Sequence, residues 1–159
     1  GAAYWRDGDR VVVRGAATKD SPAVGEAVST WDQQAIRLTF QPADGAAFRT
    51  DVFAREGGGT GFQTFTRAAQ TVIDIRGTYR ATLRDPKGVA VGWVRMKISP
   101  YQEAARIYDG VLPAAIPPEL AAAGVVALDA EIDWLEDHVL DVYRGNSGGP
   151  LERSIPAPR

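Results

Sequence analysis

Cysteine is absent, and histidine and methionine each occur once in the 159 residues. Without cysteine there is no disulfide framework, no thiolate metal site and no cysteine nucleophile. With His138 alone, neither a cluster of histidines on one metal nor a mechanism needing two imidazoles fits a single chain. Long hydrophobic runs are lacking too. The longest, Leu120 to Leu128, is nine residues, about half of a membrane-spanning helix, so no transmembrane segment is expected. A basic surplus is missing: 18 Lys and Arg stand against 20 Asp and Glu, a net charge of −2, which argues against a nucleic-acid partner.

What remains is ordinary for one globular domain, with 45% hydrophobic and 24% charged residues. A chain of this length buries enough surface to fold without staples. Charge is segregated, however. Residues 119–142 hold seven acids and no base, while residues 1–118 hold 15 bases and 12 acids. Arginine outnumbers lysine 15 to 3, as coding bias in a GC-rich genome produces. The chain starts Gly-Ala-Ala, which fits either a removed leader or an added first glycine, and the expectation is an exported bacterial protein, periplasmic or extracellular.

From Ala35 to Ser99 the pattern is β. Ile36, Leu38 and Phe40 alternate with Arg37, Thr39 and Gln41. The clearest run places Ile73, Ile75, Gly77, Tyr79, Ala81 and Leu83 on one face and Asp74, Arg76, Thr78, Arg80, Thr82 and Arg84 on the other. Asp85-Pro86-Lys87-Gly88 has turn chemistry, and Val89 to Ile98 returns, giving a long hairpin over 72–98. Residues 1–34 carry little pattern beyond a strand at Arg10 to Arg14. Tyr101 to Tyr108 reads as a short helix. Pro118 and Glu119 suit a helix start. From Val125, apolar residues at Leu128, Ile132, Leu135, Val139 and Val142 are spaced as the stripe of an amphipathic helix, with Gly124 a point where its first turn loosens.

The expected architecture is α+β: an antiparallel sheet of about 5–7 strands packed against one C-terminal helix, or else a small β-barrel carrying that helix. Residues 1–144 form the single domain, and residues 145–159, rich in Gly, Pro and Ser, form a flexible tail.

Several residue groups invite a functional reading. Gly145-Asn146-Ser147-Gly148-Gly149-Pro150-Leu151 resembles the stretch around the nucleophile of trypsin-like and HtrA-like serine proteases, which implies Ser147 as nucleophile. The resemblance ends there: the one histidine lies nine residues upstream in a predicted helix, with no room downstream for the strands of such a fold. His138 with Asp141 lacks the second histidine of a helical zinc motif. Gly57 to Gly61 lacks the Lys-Ser/Thr of a phosphate loop. Asp133, Asp137 and Asp141 stack at helical spacing, where like charges repel by about 0.2–0.5 kcal/mol per pair. A cation, a basic partner or the protein's own arginines would offset that cost.

The complement is on the hairpin. Arg76, Arg80 and Arg84 share one strand face, and Val91, Trp93, Arg95 and Lys97 share a face of the returning strand. With the two sets in register, Arg76, Arg80, Arg84, Trp93 and Arg95 form a basic binding face with cation–π stacking on the tryptophan. The leading expectation is a non-enzymatic binding or assembly module acting through this surface, with a protein or an anionic ligand as partner. No cofactor and no metal are expected. One alternative is a carrier of a small hydrophobic ligand, with a cavity between sheet and helix lined by Trp31, Phe40, Phe48, Phe53, Phe62 and Tyr79. Another is self-association through the helix stripe. An enzyme is the least supported class, because no nucleophile–base pair is readable.

Overall fold

The computed structural model describes residues 4–31, 35–56, 63–67, 70–74, 77–98 and 106–138. In chain order the strands are β1 (Tyr4–Asp7), β2 (Arg10–Gly15), β3 (Gly25–Trp31), β4 (Ile36–Pro42), β5 (Phe48–Thr50), β6 (Ala54–Arg55), β7 (Gln63–Arg67), β8 (Gln70–Asp74), β9 (Gly77–Arg84), β10 (Ala90–Ile98) and β11 (Arg106–Val111). One helix follows, α1 (Pro118–His138). Nine strands form one antiparallel sheet in the order β1-β2-β3-β4-β5-β9-β10-β11, with β6 also paired to β9. β7 and β8 pair only with each other. The sheet curls into a half-barrel, and α1 lies against it, chiefly on β2, β3 and β4. The fold is therefore α+β, and the half-barrel also carries part of the barrel alternative.

Period-2 patterning sets the faces. Ile36, Leu38 and Phe40 of β4 point into the core while Arg37 and Gln41 are exposed. Tyr79, Ala81 and Leu83 of β9 and Val94, Met96 and Ile98 of β10 face the same way. The turn between β9 and β10 closes as its sequence dictates. Asp85 Oδ1 accepts from the backbone N–H of Lys87 and of Val89, each at 2.9 Å, and Gly88 supplies a φ of 85° that other residues resist. The paired part of this hairpin runs from Gly77 to Ile98. Residues 72–74, which the expected hairpin includes, instead belong to β8.

Four features differ from expectation. β3 lies in the stretch where no strand was read after Arg14. Its inward residues are Ala27, Ser29 and Trp31, and two of them are small because α1 passes close: Ser29 Oγ donates to the Ala127 carbonyl at 2.9 Å. Arg106 to Tyr108 is the start of strand β11, not the end of a helix, and pairs with β10 through Lys97↔Ile107 and Arg95↔Asp109. Gly124 does not loosen α1. It is buried, and a Cβ there would sit 2.5 Å from the Phe40 ring, so glycine is what lets the helix meet β4. The buried face of α1 is Leu120, Ala123, Ala127, Leu128, Ile132 and Leu135, rotated so that Val125 is 42% exposed.

The flexible tail proposed for 145–159, Ser147 with its glycines, and Val139, Asp141 and Val142 lie outside the described residues. So do Phe62, Arg76 and Gly57 to Gly61. Among the described residues, no helix is long and apolar enough to cross a membrane.

Candidate functional site

Among the described residues, two places have the makings of a site: the outward face of β9–β11, and a cleft on the opposite face of the sheet under α1.

The outward face follows from strand register. Arg80 stands directly across from Arg95, and Thr82 across from Trp93. On the other side of β10, Trp93 faces Val111, Arg95 faces Asp109 and Lys97 faces Ile107. Of the residues read from the hairpin, Arg80, Arg84, Trp93, Arg95 and Lys97 share this face, Val91 lies at a register shift and packs against the core, and Arg76 lies outside the described residues. Arg80 lies over the Trp93 ring at 4.3 Å from its centroid, and Arg95 at 5.4 Å. Arg84 is further along, across from Arg49 of β5.

The face is less basic than its arginines suggest. Arg95 donates to both oxygens of Asp109, at 2.9 and 2.5 Å, and Arg84 to both oxygens of Asp51, at 2.9 and 3.1 Å. These are fork-to-fork pairs, the strongest geometry open to arginine and carboxylate. Their hydrogen bonds, with the attraction of the charges, raise the arginine pKa values further. The Arg95 guanidinium holds the Asp109 carboxyl below the usual carboxylate range. All four groups are well exposed, so water and salt screen the pairs and they add little to folding.

The cleft lies between α1 and the β10–β11 side of the sheet. It has a volume of about 270 Å³ and an apolar wall built from Leu38 and Phe40 of β4, Val94 of β10, Leu112, and Ala121, Gly124, Val125 and Leu128 of α1. The β11 segment Tyr108–Gly110 forms its rim. Its origin is asymmetric packing. Gly124 brings α1 down onto Phe40, while alanines at 121 and 122 are too short to fill the space toward β10 and β11. Of the six aromatics expected around a cavity, Phe40 is a wall residue. Trp31, Phe53 and Tyr79 are packed in the filled core, and Phe48 is half-buried against it. The other wall residues, the aliphatics Leu38, Val94, Leu112, Val125 and Leu128 and the small residues of α1, were not expected there, and the Ala-Ala-Ala-Gly run at 121–124 was a signal only for the small ones.

Beyond the cleft, the acids of α1 fasten the helix to both edge strands. At the β11 edge, Arg106 is 8% exposed and donates to Asp129 Oδ1 at 3.0 Å and pairs with Asp133 Oδ1 at 2.8 Å. The Tyr108 hydroxyl donates to Asp129 Oδ1 at 2.7 Å. Burial first, and then this hydrogen bond to a carboxylate, push the phenol above its ordinary range. At the β1 edge, Arg6 reaches the fully buried Glu131, donating to its Oε2, while its guanidinium stacks on Trp134 at 4.1 Å. Burial pushes the Glu131 carboxyl up to about 7, against the opposing pull of Arg6. For Asp133, then, the protein's own arginine offsets the helix charge. The side chains of Asp137 and His138 lie outside the described residues. Among the described residues there is no group of three or more metal-ligating side chains.

Comparison with protein-family models, with curated proteins and with solved structures finds no match.

Proposed function

We propose that the chain is a binding module that carries a small, uncharged, apolar molecule in the cleft between α1 and the β10–β11 wall. The observation that carries this reading is the cleft itself: about 270 Å³ of space lined by aliphatic and aromatic side chains. Ligand pockets run from about 300 to 1,000 Å³, so the fitting occupant is at the small end, a ring system or a short acyl chain. Its chemistry is restricted further by the wall. The Tyr108 hydroxyl is committed to Asp129 and Asp109 to Arg95, so a buried polar group on the ligand would lack their hydrogen bonds. Desolvating such a group without compensation costs roughly 1–3 kcal/mol.

The test uses 1-aminoanthracene, an uncharged dye whose emission shifts to the blue in apolar surroundings. The expected result is saturable, blue-shifted emission with the native chain and its loss in Ala121→Trp, whose indole occupies the cleft, with an unchanged far-UV circular dichroism spectrum. Unshifted emission with the native chain, or equal emission from both proteins, rejects the reading.

A further inference from the structure

The outward face of the sheet, on the side opposite the cleft, pairs like charges directly across strands: Arg49 with Arg84, and Arg80 with Arg95. Like charges in that position are destabilising. The chain offsets one member of each pair with its own carboxylate, Asp51 on Arg84 and Asp109 on Arg95, both bidentate. Arg49 and Arg80 make no direct ion pair among the described residues, although the charge of Arg80 also reaches Asp109, and both are exposed. The face thus displays two arginines holding protein carboxylates in fork geometry and, beside each, an arginine with its fork open. Arg80 is already held in place by its stacking on Trp93, so ordering it for a ligand sacrifices little side-chain freedom. Lys97 adds a further positive charge on the same face.

Beside these charges the face is apolar. Ile107, 60% exposed, stands across from Lys97, and Val111, 53% exposed, stands across from Trp93. An arginine–tryptophan centre flanked by exposed aliphatics is the composition of a protein interface.

We propose that the outward face of β9–β11, with Arg49 of β5, docks an acidic polypeptide segment that carries apolar side chains between its carboxylates. The carboxylates take the open forks of Arg80 and Arg49, and the apolar side chains cover Ile107 and Val111. An acidic polysaccharide matches the arginines but offers nothing to the two aliphatics. A nucleic acid would set its unbroken phosphate charge against Asp51 and Asp109.

The experiment is fluorescence anisotropy with the full chain and a labelled synthetic peptide of alternating Glu and Leu at low salt. A Gln–Leu peptide and a uronate oligosaccharide serve as comparisons. The Glu–Leu peptide is expected to bind, and salt to weaken it. Arg80→Ser should reduce affinity about tenfold or more, the loss expected of a charge-assisted hydrogen bond. Ile107→Ser should reduce it too. Both variants should keep the native melting curve, since the side chains are exposed. Absence of binding, equal binding of the Gln–Leu peptide, or affinity unchanged in both variants overturns the proposal. Equal or tighter binding of the uronate oligosaccharide also overturns it, in favour of a glycan. The cleft lies on the other face of the sheet, so 1-aminoanthracene emission is unaffected by any of these outcomes.

Discussion

Replacing Glu131 by glutamine should raise the stability of the protein at alkaline pH and leave it unchanged at acid pH. Glu131 is on the buried face of α1 with no exposed surface. Its Oε2 accepts from Arg6, and its Oε1 has no hydrogen-bond partner among the described residues. Burial holds the folded carboxyl at about 7, against an ordinary value of 4.5. The folded chain therefore binds this proton more tightly than the unfolded chain. The stabilisation that follows is complete below pH 4.5 and is lost as pH rises to about 7. At about 1.4 kcal/mol per pH unit, the loss over that window is roughly 3 kcal/mol. Glutamine has the same shape, still accepts from Arg6 and cannot ionise. Urea unfolding followed by tryptophan fluorescence at pH 4.5 and 8.5 gives both free energies. Equal stabilities at pH 4.5, with the variant ahead by roughly 1–3 kcal/mol at pH 8.5, are expected. A variant that is less stable than the native chain at pH 8.5 refutes the reasoning, because the charged pair with Arg6 would then outweigh the burial of the carboxylate.

Two further substitutions follow from the packing. Gly124→Ala gains up to about 1 kcal/mol of helix propensity but drives a methyl group to 2.5 Å from Phe40, and overpacking of this kind costs about 1–3 kcal/mol; thermal unfolding should show a net loss, and a gain in melting temperature would contradict the packing. Asp109→Asn should have its largest effect near neutral pH and lose it in acid. The Asp109 carboxyl is held low by Arg95, so its contribution is present above the ordinary carboxylate range and disappears as pH falls through the lowered folded value. Because the pair is exposed and screened, the effect in urea unfolding should be small, and a large loss of stability at neutral pH would contradict this.

The parts of the fold legible in the sequence are those in which one residue face is uniformly apolar. The β9–β10 hairpin is one, since Tyr79, Ala81 and Leu83 alternate with charged and polar residues and Asp85 to Gly88 names the turn. Where the inner face must make room for the helix, the alternation fades. Ala27 and Ser29 of β3 look like nothing in particular because α1 sits against them. Strand β11 was hidden by Arg106 and Tyr108, polar residues on its inward side that reach Asp129. Glu131 is one of seven acids in residues 119–142 and nothing in the local pattern sets it apart; its carboxylate is met by Arg6 from the far end of the chain. The candidate site shows the same division. Two period-2 runs were enough to bring Arg80, Trp93 and Arg95 together. The carboxylates that neutralise half of that face come from Asp109, 14 residues away, and Asp51, 33 residues away, and no local pattern announces them. The cleft was equally silent, since it arises from what small side chains fail to fill.

The account rests most heavily on the cleft holding a small apolar molecule. Native mass spectrometry of gently purified protein, compared with its denatured mass, addresses this directly. The account predicts an additional non-covalent mass on the native chain that is absent from Ala121→Trp purified in the same way. Native chain that carries no extra mass and takes up no 1-aminoanthracene would contradict it.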